Sequence, residues 1–192
     1  LKDFNWLPEI LIWCLRQPIK YYKYMRILVI DDTQENLNAA IEQLQEHEVI
    51  TVASFTEAHK LLGNNKRSDD TGPDNKPYVR WNEGATEFDV VLTDLFMPAA
   101  SDGGNTEKAG QTTPYGLVFA MAAIRRCVPM VAIVTKGSHH SEPMLWALDL
   151  LGLEFTDETK PYKIGNTMFA CCNHTSNKKP KDWALALKKL QC

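Results

Sequence analysis

Nothing in this chain is apolar for long enough to cross a bilayer. The nearest approach, LPEILIWCL at residues 7–15, falls well short of the ~20 residues that a spanning helix needs. That segment also lacks the basic leader and the small-residue cleavage site of a secretory signal. Positive charge is not in excess. Lys and Arg number 21 against 24 Asp and Glu, giving a formal net charge of −3 and a pI near 6.0. Apart from KKPK at 178–181 the basic residues are scattered, which argues against direct binding of nucleic acid. The five cysteines have no CxxC spacing, so neither a disulfide framework nor a zinc knuckle is expected. Cys171-Cys172 ends an apolar run and reads as a pair of reduced, buried thiols, and a reducing cytoplasm is the expected setting. No internal repeat is visible. What remains is ordinary for a globular chain: 44% hydrophobic and 23% charged residues over 192 positions, enough for one well-buried domain.

The informative pattern is strand followed by helix, repeated from Met25 onward. Residues 26–31 read as a first strand. A helix from Thr33 to about Glu46 follows, with Leu37, Ala40, Ile41 and Leu44 on one face. Val49–Ala53 reads as a second strand. Ser54 then opens a helix to about Leu62, Glu57 completing a capping box and Gly63 closing it. Residues 88–93 form the third strand, a helix from about Pro114 or Tyr115 to Arg126 follows, and 129–135 is the fourth strand. Ser141 and Pro143 open the next helix, which Gly152 ends. Residues 161–172, PYKIGNTMFACC, suggest a β-hairpin across Gly165-Asn166 whose second arm, 167–172, is the fifth core strand. Lys181–Leu190 is a last helix, with Trp183, Ala184, Leu187 and Leu190 facing inward. Polar stretches at 64–87 and 99–113 read as long loops. The expected architecture is α/β: a three-layer αβα sandwich on a five-stranded parallel sheet, with an extra hairpin near the last strand. Met25 stands directly before the first strand while the chain begins with Leu. Residues 1–24 are therefore expected to be an extension outside the domain, or else an amphipathic docking helix, and residues 25–192 the domain itself.

Chemistry concentrates where two apolar runs end. RILVIDD (26–32) stops on Asp31 and Asp32, and FDVVLTDLFMP (88–98) carries Asp94 directly after its strand. In open α/β sheets the working groups gather at the carboxyl ends of parallel strands. Three carboxylates at one edge repel each other unless a cation joins them, so a hard divalent ion is implied. The bland alternative is that each Asp is a helix cap or turn former, with Asp32 capping the following helix. That explanation suits one aspartate better than three on adjacent strand ends.

The set DD (31–32), TDLFMP (93–98), the glycine in PYGL (114–117) and the strand-terminal threonine of VAIVT (131–135) resembles the receiver domain of two-component response regulators. The likeness runs from Met25 to the C-terminus, close over the first three strands and looser after residue 135. It implies a flavodoxin-like topology and a stand-alone phosphoacceptor working in a phosphorelay. Asp94 would accept the phosphoryl group, Asp31, Asp32 and Asp94 would hold Mg²⁺, and Thr135 would act as the switch hydroxyl. A histidine kinase or phosphotransfer protein would be the donor, and output would pass through contact with a downstream protein. The family also places a lysine at the end of its fifth strand. Here Lys160 and Lys179, each followed by proline, are the candidates, while the strand 167–172 itself runs into Asn173-His174.

Two other functions stay open on the sequence. A pseudo-receiver would keep the fold as a binding module and lose phosphorylation, a reading motivated by the unassigned lysine. A metal-dependent hydrolase would combine Asp31, Asp32 and Asp94 with His139 or His140, accessory candidates on the segment after the fourth strand. Such a mixed site would favour Mn²⁺ or Zn²⁺ over Mg²⁺. The 99–113 loop leaves a carboxyl strand end and is expected to lie over the site as a lid, whereas 64–87 should lie at the opposite face. Trp6, Trp13, Trp81, Trp146 and Trp183 read as packing or loop anchors.

Overall fold

Alternation inside the apolar runs decides which layer each side chain enters. The computed structural model describes residues 24–62, 87–98, 112–136, 143–150, 160–173 and 179–191. In chain order its elements are β1 (Arg26–Ile30), α1 (Gln34–Gln43), β2 (Glu48–Val52), α2 (Phe55–Leu62), β3 (Val90–Thr93), β4 (Met97–Pro98), β5 (Thr112–Thr113), α3 (Tyr115–Arg125), β6 (Met130–Thr135), α4 (Pro143–Leu150), β7 (Tyr162–Ile164), β8 (Thr167–Asn173) and α5 (Trp183–Leu190).

Six strands form one sheet in the order β2-β1-β3-β6-β8-β7. Every pairing is parallel except that of β7 with β8. The chain is thus an α/β protein with a mainly parallel sheet, an arrangement compatible with a flavodoxin-like fold. The sheet has six strands where five were expected, because the hairpin across Gly165-Asn166 is hydrogen-bonded into it as an edge strand. Gly165 adopts φ +60°, the left-handed conformation such a turn demands.

Both faces of the sheet are covered. Ile27 and Val29 of β1, with Val90 and Leu92 of β3, pack beneath α1 and α5. Their neighbours Leu28, Ile30 and Val91 point the other way, into a core shared with α2, α3 and α4. Strands buried on both faces read as unbroken apolar runs, which is why β1, β3 and β6 were visible in the sequence. Phe119 on α3 and Trp183 on α5 are both fully buried. Each such side chain contributes roughly 1.5–3 kcal/mol relative to leaving it in water.

Two helix faces differ from expectation. Ile41 is 52% exposed, and the buried residues of α1 are Asn36, Leu37, Ala39 and Ala40. A polar side chain is drawn inward at position 36, which turns the helix so that Ile41 leaves the core. On α5, Trp183, Leu187 and Leu190 face inward as expected, but Ala186 takes the buried place assigned to Ala184. Half of the expected capping box forms at Ser54: its Oγ accepts from the Glu57 amide at 3.2 Å, while the Glu57 carboxylate takes the Ser54 hydroxyl, at 3.1 Å, as its donor. The end of the expected 99–113 loop is a short strand instead, since Thr112–Thr113 pairs antiparallel with Met97–Pro98. The rest of it (99–111), all of the expected 64–87 loop but Glu87, residues 1–23, Gly63, Ser141, Gly152 and His174 lie outside the described residues. Among the described residues, no helix is long and apolar enough to cross a membrane.

Candidate metal and phosphoacceptor centre

Register places the acidic groups. Ile30 of β1 is paired with Thr93 of β3, so the next residues, Asp31 and Asp94, leave the sheet side by side at its carboxyl edge. The Asp94 amide donates to the Ile30 carbonyl at 2.7 Å and the Asp31 amide to the Val52 carbonyl at 3.1 Å, which carries the ladder one step beyond the strands. Asp31 and Asp94 continue the alternation of Val29 and Leu92, so both side chains turn toward the α1/α5 layer. One oxygen from each of Asp31, Asp32 and Asp94 falls within 4.8 Å of the others. The convergence expected from the sequence is therefore present. Asp31 is buried, Asp32 exposed and Asp94 intermediate.

Each carboxylate has a distinct setting. Asp31 accepts from the Thr33 amide (2.8 Å to Oδ1) and from Asn36 Nδ2 (3.0 and 3.1 Å to its two oxygens). Among the described residues, Asp32 receives only a long contact from the Thr33 hydroxyl, 3.4 Å. It supplies no helix cap, and the N-cap residue Thr33 makes no side-chain cap either. Asp94 Oδ1 accepts from the Leu95 amide at 2.7 Å. Burial pushes the Asp94 carboxyl up to about 6, against the attraction of the Lys181 ammonium and with a further push from the Asp31 charge.

Lys181 is the residue the sequence reading missed. Its Nζ stands 2.7 Å from Asp31 Oδ2 and 2.6 Å from Asp94 Oδ1, and the residue is 1% exposed. It lies 5.6 Å from the centre of the Trp183 ring, so its charge meets two carboxylates and an aromatic face. The two candidates offered from sequence are corrected. Lys160 and Lys179 are both exposed. Lys160 precedes β7, three strands removed from β3, which at ~4.8 Å per strand is about 14 Å of lateral distance. Lys179 stands two residues before the side chain that enters. In the sequence Pro180 precedes Lys181, whereas Lys160 and Lys179 are each followed by proline.

Thr135 sits at the carboxyl end of β6, 1% exposed and paired in register with Asn173. It therefore shares the edge on which Asp94 lies. His139 and His140 lie outside the described residues. Gly116 belongs to the PYGL motif, and its backbone explains why glycine is needed. The first turn of α3 lies so close to the loop after β3 that a Cβ there would come within 2.7 Å of Leu95 Cα and still closer to the Asp94 carbonyl oxygen.

The donor set suits a hard divalent ion. All three side chains offer carboxylate oxygens, the ligands that Mg²⁺ and Mn²⁺ prefer. With Lys181 paired, three carboxylates and one ammonium leave two net negative charges, which one divalent cation balances. A search of family models, of curated proteins and of solved structures found no match to this chain.

Proposed function

We propose that the chain is a phosphoacceptor of the receiver type, in which Asp94 takes a phosphoryl group from a phosphohistidine or a small acyl phosphate. The observation that carries this reading is Lys181, whose ammonium bridges Asp31 and Asp94 at the ends of adjacent strands. Lysine at such a place neutralises the carboxylate edge and offers a charge-assisted donor to an incoming phosphoryl oxygen. In the transfer, an Asp94 oxygen attacks phosphorus. The bond from phosphorus to the donor's nitrogen or acyl oxygen breaks, and the leaving group keeps the electron pair. Asp31, Asp32 and Asp94 would hold Mg²⁺, which supplies charge neutralisation for the transferred oxygens. Thr135, on the neighbouring strand end, would be the switch hydroxyl that responds once Asp94 is modified.

Lys181 also removes the reason for a pseudo-receiver, which was the apparent want of a lysine. The partners proposed are a histidine kinase or phosphotransfer protein upstream and a protein target downstream. Incubation with acetyl phosphate and Mg²⁺ tests the assignment by intact mass and by hydroxylamine-sensitive label. The wild-type chain should gain one phosphoryl group, and Asp94→Asn should gain none. Label persisting in that variant, or none in the wild type, would refute it.

A further inference from the structure

Asn36 is a buried polar residue in the first turn of α1, 3% exposed, and asparagine is a poor choice for a helix interior unless its amide is used. Here it is used on both sides. Nδ2 donates to the two oxygens of Asp31 at 3.0 and 3.1 Å, and Oδ1 accepts from the Lys181 backbone amide at 3.1 Å. The chemistry fixes the orientation. A carboxylate accepts only and an amide N–H donates only, so NH₂ must face Asp31 and the oxygen must face Lys181. Neither Asp nor Leu could serve both partners. Two helical turns later, Gln43 repeats the device. Its Nε2 donates to the Lys181 carbonyl at 3.0 Å, and its Oε1 accepts from the amides of Trp183 at 2.7 Å and Ala184 at 3.3 Å. The Lys181 peptide is thus gripped at its N–H by Asn36 and at its C=O by Gln43.

We propose that Asn36 is a positioning residue of the carboxylate centre, fixing Asp31 as a cation ligand and, with Gln43, the backbone from which Lys181 reaches Asp31 and Asp94. The inference deepens the phosphoacceptor reading and rests on it only where phosphorylation is measured. Groups that orient a metal ligand from behind typically change metal affinity or activity 10–100-fold when removed.

The test uses the full chain with Asn36→Leu and Gln43→Leu, in three measurements. First, Mn²⁺ affinity should fall at least about tenfold in Asn36→Leu and less in Gln43→Leu, which leaves Asp31 its amide contacts. Second, the ¹⁵Nζ–¹H signal of the Lys181 ammonium, expected to exchange slowly in the wild type because the group is buried and paired, should broaden or vanish in both variants. The Trp183 indole signal reports retained folding, because its acceptor is the Asn36 backbone carbonyl, 2.9 Å away, and survives the substitution. Third, in the unmutated protein the Asn36 side-chain amide should exchange far more slowly than that of exposed Asn38. This last comparison decides the matter if Asn36→Leu does not fold. A folded Asn36→Leu with Mn²⁺ affinity within about twofold of wild type and an unchanged Lys181 signal would overturn the proposal, as would equal exchange at Asn36 and Asn38. Wild-type protein that fails to label with acetyl phosphate would sink the phosphoacceptor reading instead. The Lys181 signal still decides the role of Asn36 in that case.

Discussion

At the scale of single residues, Asp94 carries a conflict between stability and chemistry. Folding raises its pKa from 3.8 to about 6, chiefly by burial, with Lys181 opposing and Asp31 reinforcing the shift. Between those values the folded chain holds a proton that the unfolded chain has released. Stability contributed by this group therefore falls as pH rises through that window and stays low above it. A shift of about two units corresponds to roughly 3 kcal/mol at ~1.4 kcal/mol per unit. Asp94→Asn removes the charge while keeping the shape. It should be more stable than wild type by on the order of 2–3 kcal/mol at neutral pH, and the difference should close as pH falls below about 4. Urea unfolding of both proteins at the two pH values measures this, and equal stability at pH 7 would contradict the electrostatic account. The same ionisation governs reactivity, because only the carboxylate attacks phosphorus. Labelling by acetyl phosphate should slow on acidification, and because a bound Mg²⁺ favours the carboxylate, the loss should set in below the metal-free value of about 6.

At the scale of elements, the site depends on how closely α3 approaches the loop after β3. The Gly116 amide donates to the Leu95 carbonyl at 3.0 Å, and the atoms a Cβ would meet are all backbone, which cannot swing aside as a side chain can. Gly116→Ala should therefore push α3 away from Asp94 instead of repacking locally. Overpacking of this kind destabilises by roughly 1–3 kcal/mol, and contact with main chain places it at the upper end. The thermal midpoint should fall, and phosphorylation of Asp94 should slow with it. Unaltered labelling in Gly116→Ala would show that the close approach is not needed. What could be read from sequence follows the same division. β1, β3 and β6 were legible because burial on both faces writes an unbroken apolar run, and Asp31 and Asp94 because each directly follows such a run. The inward face of α1 was not legible beyond Leu37, Ala40 and Leu44. Apolar periodicity favours Ile41, whereas the helix is turned by hydrogen bonds from Asn36 to a carboxylate that belongs to a strand.

At the scale of the whole molecule, the centre is completed by a residue 150 positions from Asp31, and this explains why Lys181 was missed. Local pattern specifies strands and helix caps, but which lysine of KKPK enters the interior is decided by docking of α5 on α1 through Asn36 and Gln43. That long-range closure also makes the centre a stability element. With Lys181 the two inner carboxylates share a cation; without it they face each other across a buried edge. Removing one partner from a buried charge cluster costs about 3–5 kcal/mol, because the remaining charge stays desolvated. Lys181→Met, which keeps the aliphatic packing against Trp183, should therefore be strongly destabilised in metal-free buffer. Millimolar Mg²⁺ should recover part of the loss, since a bound cation stabilises the folded chain by mass action. Adding Asp94→Asn should reduce the penalty of Lys181→Met, because one of the two stranded charges is gone, and the shortfall measures the coupling between 94 and 181. If the two substitutions were simply additive in denaturant unfolding, Lys181 and Asp94 would not be energetically paired, and the bridge that supports the phosphoacceptor assignment would lose its meaning.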